Sequence, residues 1–224
     1  MKAWARFFLS VCDRRLPETR ICTMTQDVKA LFIPTLAMIV IVVAANILVQ
    51  HPIHFLGLAD HLTWGGLTYP ISFLVTDLTN RHFGPDRARK VVVAGFFIGV
   101  ILSFALATPR IALASGLAFL FGQLLDIGVF NRLRRLSWWR APLIGSVVGS
   151  AVDTALFFSI AFYGIEAMSV PVQFFGAVTM PLWVSLGTTD FLVKVVIALI
   201  ALLPYGALLK VVTPVDDKRT QPSA

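Results

Sequence analysis

The chain has 224 residues, 57% of them hydrophobic and only 14% charged, with a formal net charge of +7 and a mean hydropathy of +0.81. A soluble domain carries about a quarter charged residues, so this composition excludes one; the continuous apolar runs point to membrane helices rather than a barrel. The positive charge lies in short clusters between apolar runs, which is a topology signal and not a nucleic-acid surface.

Residues 1–29 are mixed and basic, and no small-residue cleavage pattern follows the short apolar piece Ala3–Val11, so no signal peptide is expected. Met24 reads as an alternative start, which makes residues 1–23 a candidate extension. A helix crossing about 30 Å of hydrocarbon needs roughly 20 apolar residues. That ruler gives six spans: Leu31–Gln50, Leu62–Asn80, Val91–Thr108, Ile111–Phe130, Ala141–Tyr163 and Trp183–Leu209. Lys and Arg number 6, 0, 4, 1, 4, 0 and 3 in the successive segments outside the spans, an alternation that puts both termini in the cytoplasm. The expected fold is thus an all-α integral membrane protein. Its organisation is a cytoplasmic tail over 1–29, a six-helix transmembrane domain over 30–210, and a second cytoplasmic tail over 211–224. The apolar loop Gly164–Leu182 reads equally as a re-entrant or interfacial segment and as a plain outer loop.

Ionisable groups inside a membrane cost at least about 2.5 kcal/mol each at the helix centre, so each needs a partner or a function. Asp77, Asp126, Asp153, Asp190 and Lys194 fall in or near spans, with amides at Asn46, Gln123 and Gln173. Asp77, Asn80 and Arg81 share a helix face near the cytoplasmic lip. Gln123 and Asp126 share another, from which Asp126 reaches toward Arg132 or Arg134 as an anchoring pair or a gate. Asp153 is at mid-depth with no cation in its own span, so another helix or a ligand meets its charge. Asp190 and Lys194, at i and i+4, read as a packing ion pair or as part of a wet cavity. Gly95-xxx-Gly99 and Gly145-xxx-Gly149 are close-packing patterns. Trp64, Tyr69, Trp138, Trp139 and Trp183 read as interfacial anchors, and Phe73, Phe157 and Phe158 as core or as a stacking surface for a flat ligand. Cys12 and Cys22 have no metal-ligand spacing; His51, His54 and His61 are scattered near loop ends; no phosphate loop or nucleophile motif is present. Neither an enzyme, a metal nor a cofactor is expected.

The stretches YPISFLVTDLTNRHFG, SGLAFLFGQLLDIGVFNRLRR and GSVVGSAVDTALFFSIAF, with a WW pair between the last two, resemble the bacterial queuosine precursor transporters. The resemblance covers about Lys29 to Leu209. It implies import of 7-cyano-7-deazaguanine, or its aminomethyl analogue, across the inner membrane for tRNA queuosine salvage. Such a base presents N1–H and an exocyclic amine to one carboxylate, its O6 to an amide and its face to an aromatic ring. On that basis Asp153, Asp190, Asn46, Gln123 and Lys194 are the expected substrate-binding residues, and Asp77, Asn80, Arg81 and Asp126 the gate or coupling set. The expected partners are the lipid bilayer and the deazapurine. A homo-oligomer and a separate energising ATPase, for which this chain would be the binding subunit, both stay open. So does a purely structural membrane protein.

Overall fold

The computed structural model describes residues 18–48, 51, 64–174 and 178–209, with side chains from residue 31. Cys12, His54, His61 and most of both tails lie outside the described residues, as does the Cys22 side chain. The chain divides into Met1–Ile33 and Pro34–Ala224. In the first unit the described residues form the beginning of helix α1 (Glu18–Leu48); everything below concerns the second.

After α1 come α2 (Trp64–Thr68), α3 (Ile71–Phe83), α4 (Pro85–Leu106), α5 (Pro109–Leu133), α6 (Arg140–Phe162) and α7 (Leu182–Leu208). Among the described residues five helices are long and apolar enough to cross a bilayer: the Leu31–Leu48 part of α1, and α4 to α7. The expected span Leu62–Asn80 is not one helix. Pro70 lacks the N–H that would continue α2, so the chain turns at Tyr69-Pro70 and restarts as the 13-residue α3. The expected outer loop Gly164–Leu182 carries local structure of its own among the described residues. It makes a single 3-10 turn at Glu166–Met168 and an antiparallel hairpin, β1 (Pro171–Phe174) with β2 (Val178–Pro181), the one β element described in an otherwise helical chain.

Local chemistry sets the breaks. Gly84 has φ +88°, a left-handed value that glycine adopts without strain, and Pro85 then opens α4 at a position where its missing N–H is harmless. Thr108 caps α5, its side chain accepting from the Ile111 N–H, with Pro109 following it. Arg110, the lone cation of its loop, donates through Nε to Ile160 O at 2.7 Å and through Nη2 to Tyr163 O at 2.5 Å. A guanidinium on the last carbonyls of α6 both satisfies and electrically complements that helix end.

Helix α3 contacts α4, α5, α6 and α7, and α5 and α6 form the most extensive helix pair. Glycine makes that pair close: a Cβ on Gly122 would stand 3.0 Å from Gly149 O, and one on Gly149 2.8 Å from Gly122 O. Gly95 and Gly99 do the same on α4, where Met38 and Val42 of α1 press in. The outside is apolar, with Leu203 75% and Ile101 64% exposed, as lipid contact requires. The inside is polar: Asp77, Asn80, Gln123, Asp126, Asp153 and Lys194 are all at most 5% exposed. At the end that carries the basic connections, Phe130, Ala141 and Tyr205 form an apolar plug with Leu74, Leu78 and Leu133 around them.

Candidate functional site: a charged cavity

A cavity of about 860 Å³ lies among α1, α2 and α4–α7. Its lining runs from Ala107 and Thr108, at the end opposite the basic connections, to Asp153 and Lys194 at mid-helix. The volume falls within the range of about 300–1,000 Å³ in which proteins bind small molecules. Tyr69, Phe96, Phe119, Phe157, Phe158 and Phe162 contribute aromatic rings to the wall.

Lys194 organises the floor. Its Nζ lies 2.6 Å from Asp153 Oδ2 on α6 and 2.5 Å from Asp190 Oδ2, one turn back on α7. It also donates to Thr154 Oγ1 at 3.1 Å, and Thr154 donates to Asp190 Oδ2 at 2.7 Å. Tyr69, placed by the Pro70 turn, donates its hydroxyl to Asp153 Oδ1 at 2.7 Å, and its ring lies 5.3 Å from the Lys194 ammonium. Both Asp153 oxygens are therefore occupied, and its side chain is 4% exposed. Asp190 differs. Its side chain is 21% exposed, and among the described residues Oδ2 takes its bonds while none falls on Oδ1. The group carries two carboxylates against one ammonium, so its formal charge is −1.

Asn46 lines the cavity from α1, donating to Val42 O at 2.9 Å while its Oδ1 accepts from Ser103 of α4 at 2.8 Å. Gln123, expected beside the ligand, is elsewhere. It is fully buried between α3 and α5, its Oε1 accepting from Thr76 at 2.6 Å and its Nε2 donating to Ser72 at 2.7 Å. Two hydroxyls on the facing helix take it up, and it is not among the residues that line the cavity. Phe73 is likewise buried off the cavity, whereas Phe157 and Phe158 are in its wall. Tyr69, read as an interfacial anchor, is a cavity residue because the broken span turns it inward.

The expected gate residues gather at the basic end. Arg81 Nη1 donates to Arg134 O at 3.1 Å, while Arg134 Nη2 donates back to Asn80 O at 3.4 Å and Arg81 O at 3.3 Å. Asn80 Nδ2 donates to Ile127 O at 3.3 Å. These guanidinium-to-carbonyl bonds tie the ends of α3 and α5 together, each cation on a helix C-terminus. The expected Asp126 contact with Arg132 or Arg134 is absent among the described residues; the Arg134 guanidinium reaches backbone carbonyls and Asn131 Oδ1 instead. Asp126 faces Asp77. No group of three or more metal-type ligands forms among the described residues. Sequence reasoning missed Thr154 and Ser103, which no pattern marks, and Tyr205, which looked like one more aromatic residue on the last span.

Residues 63–108 and 101–208 match the family described as "Putative vitamin uptake transporter". The chain is 38% identical over 206 residues to the probable queuosine precursor transporter of Haemophilus influenzae, spanning 78% of this chain and 84% of that protein. It is 34% identical over 209 residues to the queuosine precursor transporter of Escherichia coli, with 84% and 90% covered, and 30% identical over 204 residues to a probable one of Bacillus subtilis, with 79% and 82% covered. No solved structure matches the chain significantly.

Proposed function

The chain belongs to the queuosine precursor transporter family, and from that premise we propose that it imports 7-cyano-7-deazaguanine, or a close 7-deazaguanine, through the charged cavity. It is a multi-pass membrane transporter of queuosine precursors. In our reading it sits in a bacterial inner membrane with both termini cytoplasmic. The alternation of basic connections supports this orientation, with the α2–α3 pair completing a sixth crossing.

The observation that carries the substrate reading is the Asp190 carboxylate, held on one oxygen and uncommitted on the other at the wall of an aromatic cavity. A deazaguanine offers N1–H and an exocyclic amine side by side, and the uncommitted Asp190 Oδ1 accepts a charge-assisted hydrogen bond from that edge. Asn46, which keeps one Nδ2 hydrogen free of Val42 O, donates toward the O6 of the base, and the phenylalanine rings cover its faces. Asp153 holds the Lys194 charge in place rather than touching substrate. In this reading Asn80, Arg81 and Arg134, whose bonds tie α3 to α5, form the cytoplasmic gate.

The experiment is queuosine rescue. In a strain without its own precursor synthesis or transporter, this chain restores queuosine to tRNA when 7-cyano-7-deazaguanine is fed. Losing one charge-assisted hydrogen bond of about 1.5–3 kcal/mol, Asp190→Asn lowers uptake at limiting substrate by at least about ten-fold. Wild-type uptake by a membrane-inserted Asp190→Asn protein would remove Asp190 from substrate recognition.

A further inference from the structure

Below the cavity floor lies a second, far smaller void of about 10 Å³, close to the least space that accepts one water molecule. Lys194 belongs to the linings of both spaces. The small one is also lined by Asp77, Ser146 and Tyr205, with Phe73, Pro142 and Leu202 among its apolar neighbours.

The polar groups there are unusual. Asp77 and Asp126 are 2% and 0% exposed, and their carboxyls are within hydrogen-bonding reach of each other. Asp77 Oδ2 accepts from Ser146 at 3.3 Å. Among the described residues, Asp77 Oδ1 and both Asp126 oxygens have no donor and the Tyr205 hydroxyl has no partner, although Tyr205 is only 1% exposed. The groups facing the pair are Ser146 from α6, Tyr205 and, across the void, Lys194 from α7, Arg81 on α3 itself, and Arg134 after α5. Arg81 and Arg134 direct bonds to backbone carbonyls, and among the described residues no cation is in ion-pair range of either carboxyl. Two ionised carboxylates in contact in a dry interior repel strongly. One proton held between them removes the repulsion and supplies the donor that their free oxygens lack. Glycine makes the seat: a Cβ on Gly145 would stand 2.5 Å from Asp126 Oδ1.

We propose that the Asp77–Asp126 pair is a one-proton site, loaded from the cavity through a single water in the void between Lys194 and Tyr205, and that its loading and discharge couple uptake to the proton gradient. This rests on the transporter reading above. The three Lys194 N–H groups stay on Asp153, Asp190 and Thr154, and the water takes up a proton arriving past them from the cavity. The water passes its own proton to Asp77, and the pair goes from two negative charges to one. No other bond changes. Discharge follows when the Arg81–Arg134 closure opens the pair to the cytoplasmic side, so the proton moves with the substrate.

The test uses the purified full chain in liposomes with labelled 7-cyano-7-deazaguanine, reading exchange across the membrane, net accumulation under an imposed pH gradient, and pH change in the medium. Wild type should exchange label, accumulate it only when the entry side is acidic, and take protons from that side during uptake. Asp126→Asn and Asp77→Asn should still exchange label but lose gradient-driven accumulation. The infrared carbonyl band of a protonated carboxyl, present in wild type, should be absent from the Asp77→Asn, Asp126→Asn double variant. Exchange with accumulation indifferent to the gradient overturns the coupling and leaves the transporter reading standing. So does wild-type accumulation by Asp126→Asn. A wild type that exchanges nothing overturns both.

Discussion

The charges around Lys194, on α6 and α7, and those around Asp77, on α3 and α5, border one small void, yet the molecule handles them in opposite ways. On the cavity side an ammonium sits between two carboxylates, with Tyr69 and Thr154 completing the bonds, and one Asp190 oxygen is left over. On the basic side two carboxyls face each other with no cation in range among the described residues, while the nearby guanidiniums bind backbone carbonyls. A fixed ion pair suits a site that meets solvent and ligand, because partial hydration lowers the cost of keeping it charged. A sealed acid pair is cheaper to neutralise than to ionise. In the reading proposed above, the first region recognises substrate and the second takes and loses a proton.

Removing the cation from the first region breaks the contrast most severely. Lys194→Met leaves Asp153 and Asp190 without their partner, a loss of about 3–5 kcal/mol. A large drop in thermal stability in detergent and no uptake are expected, and adding Asp153→Asn should recover part of the stability. An unchanged melting temperature would mean that the acids are not paired through Lys194. A smaller effect comes from the backbone contact that holds the two regions in register. Gly122→Ala would set a Cβ 2.8 Å from Asp153 Cβ and 3.0 Å from Gly149 O, whereas a Cβ on Gly128 meets nothing within 4 Å. The first should cost about 1–3 kcal/mol and the second should stay within about 0.5 kcal/mol; equal melting temperatures would contradict the close α5–α6 packing. The smallest change sharpens the recognition side alone. Tyr69→Phe removes one hydrogen bond to a carboxylate still held by Lys194, about 1.5 kcal/mol. A small fall in melting temperature should follow, and an unchanged one would mean that Tyr69 does not hold Asp153.

Much of this was legible in the chain. Four of the six expected spans coincide closely with α4 to α7, because long apolar runs between basic clusters leave little choice of boundary. The Asp190–Lys194 pair followed from helical spacing alone. The partner of Asp153 did not, since Lys194 is 41 residues away and only the packing of α6 on α7 joins them. Hydropathy also hid the break at Pro70, because a turn inside an apolar run leaves the run just as apolar, and with the break it hid the inward turn of Tyr69. Gln123 was misplaced for a related reason. Depth alone does not tell an amide waiting for a ligand from one already bonded to Ser72 and Thr76 on the facing helix.

Whether the cavity reads a deazaguanine through Asp190 is decided by calorimetric titration of the purified protein with 7-cyano-7-deazaguanine. Wild type should show saturable one-site binding, weakened at least about ten-fold in Asp190→Asn and retained in Asp126→Asn. Equal affinity in wild type and Asp190→Asn would contradict recognition through that carboxylate.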